Sequence, residues 1–185
     1  MIVTIARLYD HHTDAANAVR ELRNAGLPER DISILSRDDR SSRAATGAEI
    51  GAAVGGLTGL LTGLGLLTIP GIGPAAAAGW LAATAAGAAA GGWVGGALGV
   101  LSAAGISGEE AHAVAECLRR GATLVTARVP EADSDRYAAI LDRGAIDVEV
   151  RVTAYREAGW TSYDPAAAPY TAEEIARERE RNRQR

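Results

Sequence analysis

Hydrophobic and polar positions alternate at the start of the chain, take helical spacing next, and then give way to a long stretch without charge. Ile2 to Leu8 alternates and is rich in β-branched residues, which predicts a strand. Thr13 stands where a residue could cap a helix that sets Ala16, Ala18, Val19 and Leu22 on one side. Gly26, with Pro28 two residues on, stops that helix. Asp31 to Ser36 reads as a second strand, so the first 36 residues predict one β-α-β unit. Residues 37–43 (RDDRSSR) form a polar joint to the uncharged stretch.

After Gly105 ordinary amphipathic patterning returns. Ser107 with Glu110 three residues on has the form of a capping box for a helix that carries Ala111, Val114, Ala115 and Leu118 on one face and ends at Gly121. Ala122 to Val129 predicts a strand. Pro130 and the acidic run behind it open a helix with Tyr137, Ile140 and Leu141 inward and Gly144 at its end. Ile146, Val148, Val150 and Val152 alternate with Asp147, Glu149 and Arg151, the pattern of a half-buried strand. The tail begins with an aromatic, proline-rich strip (Trp160, Tyr163, Pro165, Pro169, Tyr170). Thr171 to Glu174 then forms a second capping box before a highly charged helix. That helix reads as solvated, or as an arm that docks on a neighbour through Trp160, Tyr163 and Tyr170.

Between Glu49 and Glu109 there is no charged residue. Gly47, Gly51, Gly55, Gly59 and Gly63 fall four apart; Gly87, Gly91, Gly95 and Gly99 repeat the spacing beyond Pro70 and Pro74. Glycine at helical spacing clears a groove where a second backbone can approach closely. The block predicts a helix over 46–67, a reversal at 69–74 and a helix over 75–104. Antiparallel pairing in which residue numbers add to about 142 sets Gly47 against Gly95, Gly51 against Gly91, Gly55 against Gly87 and Gly63 against Gly79. The order is then β-α-β, an apolar hairpin, and α-β-α-β. This predicts an α+β fold: a ferredoxin-like four-stranded α/β sandwich, helices on one face, split by an apolar glycine-zipper helical hairpin. The segments are 1–43, 44–106 (the hairpin), 107–155 and 156–185.

Three short motifs in order, Gly105-Ile-Ser-Gly-Glu-Glu-Ala, Arg119-Arg-Gly-Ala-Thr-Leu-Val and Leu141-Asp-Arg-Gly-Ala-Ile-Asp-Val, resemble the bacterial general stress protein family of the heat-induced type. The tail from Gly159 to Ile175 is similar to tails in such proteins, and the resemblance covers roughly residues 1–43 and 105–175. It implies a stress-associated role and carries over no catalytic residue.

Composition narrows the chemistry. The net charge of −4 gives no basic field for nucleic acid, and all 19 basic residues are arginine. No phosphate-cradling motif is complete, since the sequence has no lysine. The single Cys117 reads as a small core residue rather than a nucleophile. His11 and His12 read as solvated or capping, and no His, Cys or acidic set has metal spacing. The expectation is a protein without enzymatic activity, catalytic residue, cofactor or metal, and with an unknown small-molecule ligand if it has one. The N-terminus lacks a signal-peptide pattern, so a cytoplasmic domain is expected, with association to the inner membrane as an option.

An all-round apolar hairpin must be covered by lipid or by protein. Ile50 to Thr68 as a helix would run about 28 Å, enough for a bilayer core, and Arg37, Arg40 and Arg43 would flank the cytoplasmic side. The other reading is a hydrophobic core shared between copies in a homo-oligomer. A soluble small-molecule sensor built on paired sheets is the rival class, resting on fold analogy.

Overall fold

Alternation at the N-terminus becomes β1 (Ile2–Tyr9), followed by α1 (His12–Asn24), a 3-10 turn (Glu29–Asp31) and β2 (Ile32–Arg37). Two further strands follow, β3 (Gly65–Ile69) and β4 (Gly73–Gly79). Then come α2 (Ala97–Ala103), α3 (Gly108–Arg119), β5 (Thr123–Pro130) and a second 3-10 turn (Glu131–Asp133). The chain closes with α4 (Ser134–Leu141), α5 (Val148–Glu157) and α6 (Ala172–Arg183). The structure, a computed structural model, describes residues 1–37, 65–69, 73–80, 97–168 and 170–183.

Three strands pair antiparallel at one side of the sheet, with β5 between β1 and β2. Ile5 lies opposite Ala127, and Val125 lies between Arg7 on one side and Ile34 on the other. Placing β5 between the two strands of the β-α-β unit makes it a split one. β4 adds to the outer edge of β2 and β3 to β4, giving the order β1-β5-β2-β4-β3.

Period-two alternation sorts β1, β5 and β2 onto two cores. Ile5, Tyr9, Ile32, Ile34, Val125, Ala127 and Val129 pack with α1 (Ala15, Val19, Leu22) and α4 (Tyr137, Leu141). Leu8, Leu35 and Leu124 face the other way and pack with Leu101, α3, Tyr155 and Tyr163. The sheet is therefore covered on both faces, not on one as the sequence pattern predicts. The second cover comes from α3 and from chain beyond residue 146, which the sequence alone does not place.

The segment 146–152 is the larger departure. It is not a fourth strand; its main part is the first half of α5. Asp147 caps that helix, its Oδ1 accepting from the Val150 N–H at 3.1 Å. Val148, Val152 and Tyr155 then follow at helical spacing, with Val152 and Tyr155 buried while Val150 is 65% exposed. The same valines fit both periods, and the cap decides for the helix. The four-stranded ferredoxin-like order is thus not reached: among the described residues β1 pairs only with β5.

β3 and β4 pair antiparallel in a register that keeps the sum of 142, with Gly65 opposite Ala77 and Ile69 opposite Gly73, while residues 70–72 between them lie outside the described residues. The partners, however, are strands where the sequence pattern predicts helix ends. β4 has a ready template in the open edge of β2, and its pairing there satisfies backbone groups that a helix would satisfy internally. Residues 38–64 and 81–96, and with them most of the hairpin, lie outside the described residues.

Two capping expectations also change. Helix α1 starts one residue before Thr13, with His11 at the cap position and no side-chain bond there. Ser107 occupies the cap position of α3 but makes no side-chain cap bond. Gly108 at φ +63° brings the chain into the helix away from the geometry a capping box needs. At the tail the box does form: the Thr171 N–H donates to Glu174 Oε2 at 2.7 Å, and the Glu174 N–H to Thr171 Oγ1 at 3.3 Å.

Candidate functional site

The last turn of α3 carries Glu116, Arg119 and Arg120, a carboxylate with guanidiniums three and four residues on. On an exposed helix this spacing gives weak ion pairs. Here Glu116 is fully buried. Its Oε1 accepts from Arg119 Nη2 and from Arg120 Nε, both at 2.6 Å, and its Oε2 from Arg119 Nε at 2.8 Å. Arg120 Nη1 reaches Glu178 Oε1 on α6 at 3.2 Å, and Arg181 bonds to the second oxygen of Glu178.

Aromatic rings close the cluster. The Arg120 guanidinium lies 3.9 Å from the centre of the Tyr155 ring and 5.3 Å from that of Tyr170; Arg119 lies 4.6 Å from Tyr170. Hydrogen bonds to Glu116 raise the Arg119 pKa above its ordinary value. Burial works against the Arg120 charge, but the bonds to Glu116 and the nearby acids outweigh it and raise that pKa too. Two carboxylates and two guanidiniums satisfy one another, with Arg181 at the rim. Such a cluster holds elements together and presents no free nucleophile or base.

What it holds is the tail. Arg179 Nη2 donates to the Gly121 carbonyl at 3.0 Å, and Arg119 Nη1 to the Ala168 carbonyl at 3.2 Å. Gly121 ends α3 at φ +95°, and a Cβ built on it would lie 2.6 Å from Cγ2 of the buried Ile175. Glycine is required there twice over, by backbone conformation and by the approach of α6. A separate pair pins α5: Arg151 donates through both Nη atoms to the two Asp10 oxygens, each at 2.8 Å.

The three aromatic residues singled out for docking are engaged within the chain. Tyr163 is buried and meets His112 edge-on at 6.5 Å between ring centres. Trp160 is half-buried and edge-on to Tyr155 at 6.3 Å, and Tyr170 lies against Arg119 and Arg120. The charged helix is not solvated all round, since Ile175 and Glu178 are buried. Glu116, Arg120, Tyr155 and Glu178 escape a reading of the sequence alone. Their one sequence signal is the spacing of Glu116 to Arg119 and Arg120.

Of the ladder residues, Gly79 ends β4 opposite Ser33, and Gly99 lies half-buried in α2. Gly47, Gly51, Gly55, Gly59, Gly63, Gly87, Gly91 and Gly95 lie outside the described residues. Arg128 on β5 places its guanidinium 5.1 Å from the centre of the Trp80 ring, just past β4.

Cys117 is buried, and burial pushes its thiol up to about 12, so it stays protonated at neutral pH. His12, which the sequence reads as solvated or capping, is half-buried at the first position of α1. Burial, with Arg179 nearby, pushes its pKa down to about 4, and its Nε2 has no hydrogen-bond partner. Among the described residues no group of three His, Cys, Asp or Glu is placed to hold a metal. A cleft of about 400 Å³ opens beside β1, floored by Ala6, Leu8, Val114 and Leu124 and bordered by Ile146 and Val148.

Residues 4–68 match the family model of the heat induced stress protein YflT domain. The chain resembles the general stress protein family. The matched span runs from β1 through α1 and β2 into β3. It supports a stress-associated role for a chain whose family-like motifs lie mostly downstream, at 105–148. No curated protein and no solved structure matches the chain. No helix among the described residues is long and apolar enough to cross a membrane.

Proposed function

We propose that this is a non-enzymatic, stress-associated protein whose glycine-rich segment mediates membrane association or homo-oligomerisation. The observation that carries the reading is the glycine ladder within an uncharged block, set in a chain whose N-terminal part matches a heat-induced stress domain. The two-faced cover of the sheet adds support. Ferredoxin-like domains that pair through a bare sheet face need that face free, and here both faces carry the chain's own cores. The same cover argues against a sensor that binds a ligand between paired sheets.

In this proposal the molecule is a ferredoxin-related α/β body interrupted by a glycine-zipper hairpin, with its termini on the cytoplasmic side of the inner membrane. Fractionation of expressing cells with and without detergent, followed by sizing of the extract, tests it. Recovery with membranes, or a defined oligomer, is expected. A monomer that stays soluble without detergent overturns both forms of the reading.

A further inference from the structure

The sequence of 146–152 and the edge of β1 fit each other, although the structure does not pair them along their length. In the antiparallel pairing of β1 with β5, bonds alternate, so one set of β1 residues turns its backbone N–H and C=O outward. The Leu8 carbonyl belongs to that set, because it accepts from the Ile146 N–H at 2.7 Å. Ala6 belongs to it too, since its carbonyl takes Arg7 Nη1 at 2.8 Å in place of a neighbouring strand. By the same alternation Thr4 and Ile2 face outward.

The bond from Ile146 to Leu8 is thus the first rung of an antiparallel ladder. Continued in that register, Val148 meets Ala6, Val150 meets Thr4 and Val152 meets Ile2. All four apolar residues then fall on the face of Leu8 and Ala6, where the cleft beside β1 lies. Val150 and Ile2, 65% and 64% exposed now, would become diagonal neighbours on that face. Asp147 would come opposite Arg7, whose present partner is Asp142 at 2.6 Å.

We propose that residues 146–152 form a two-state element that is the first half of α5 here and converts to a strand on the edge of β1 that is open among the described residues, using the Ile146–Leu8 bond as its hinge. The strand form has a mechanical consequence. Six residues rise about 20 Å as a strand but about 9 Å as a helix. Arg151 holds the helix form at the Asp10 end of β1, and conversion carries Val152 to the Ile2 end. The Asp10–Arg151 pair must break, and Tyr155 must leave Arg120. The element therefore couples completion of the sheet to release of the tail. The Asp147 cap and the Asp10–Arg151 pair hold the helix form.

Disulfide trapping tests this in the full chain carrying Cys117→Ala. Ile2→Cys with Val152→Cys can close only in the strand form, because six helical residues from Ile146 fall short of Ile2 by at least about 10 Å, and a disulfide needs Cα atoms within about 7 Å. Thr4→Cys with Val150→Cys makes the same test at two exposed positions, should the first pair disturb folding. Slow cross-linking under oxidant is expected for both, rising several-fold when Asp147→Ala removes the cap. Val148→Pro is tolerated in the first turn of a helix but removes the N–H that would face Ala6, so it should abolish the cross-link and leave the helical circular dichroism unchanged. Absence of cross-linking even with Asp147→Ala, or cross-linking that Val148→Pro leaves untouched, overturns the proposal.

Discussion

Arg120 packs on Tyr155, its guanidinium carbon 3.9 Å from the ring centre. The contact joins the end of α3 to α5, and Glu178 brings α6 to the same guanidinium. Glu116 is what permits the arrangement, since it neutralises two arginines at once out of water. Glu116→Ala leaves Arg119 and Arg120 buried without it. The expected loss is about 3–5 kcal/mol of unfolding free energy, the scale for breaking one side of a buried pair. Urea denaturation followed by circular dichroism measures it; a loss below about 1 kcal/mol would show that the cluster behaves as a surface pair.

Gly121 makes a sharper test, because backbone and packing act there together. Gly121→Ala must hold φ near +95° and push its Cβ into Ile175. We expect about 1–3 kcal/mol of destabilisation from strain alone, with displacement of α6 added. In the double variant with Ile175→Ala the steric part should disappear and the strain should persist. The double-mutant cycle would then show clear non-additivity. Simple addition of the two single effects would mean that α6 does not rest on Gly121.

His12 gives the pH dependence. Its folded pKa, pushed down to about 4, lies below the ordinary 6.5 of an unfolded histidine. Between these values the unfolded chain binds the proton and the folded chain does not, so stability falls as pH drops from about 6.5 towards 4. The shift corresponds to at most about 3 kcal/mol, reduced by the partial exposure of the ring. His12→Gln should flatten this part of the stability–pH curve in thermal melts between pH 4 and 7. An unchanged slope would place the proton-linked group elsewhere.

These tests concern parts of the molecule that the sequence discloses unevenly. The strands β1, β2 and β5 and the helices α1, α3 and α4 are legible because apolar spacing and glycine stops agree. Gly26, Gly121 and Gly144 all sit at positive φ at helix ends. Val148 to Val152 is not legible in the same way, since its valines satisfy a period of two as well as a helical face, and one Asp147 cap tips the balance. Leu66 to Ile69 and Ala75 to Ala78 are ambiguous for another reason: short apolar runs take the structure their neighbours offer, and β2 offers an edge. The tail cluster is hidden because it depends on Tyr155 and Glu178 meeting Arg120 across many residues of chain. Only Glu116 with its two arginines shows locally.

The ladder itself is open to substitution. Gly55→Leu and Gly91→Leu each put a branched side chain where the glycine spacing of four predicts a close helix approach. If the glycine-rich segment serves assembly, circular dichroism and the denaturation midpoint of the α/β body should stay near those of the parent chain. Assembly should not. Each variant is expected to shift the size of the detergent-extracted or soluble particle, or its partition into membranes. If both variants match the parent in size and partition, the glycines serve local backbone needs only. Loss of the α/β fold together with assembly would instead tie the glycine-rich segment into the body of the domain.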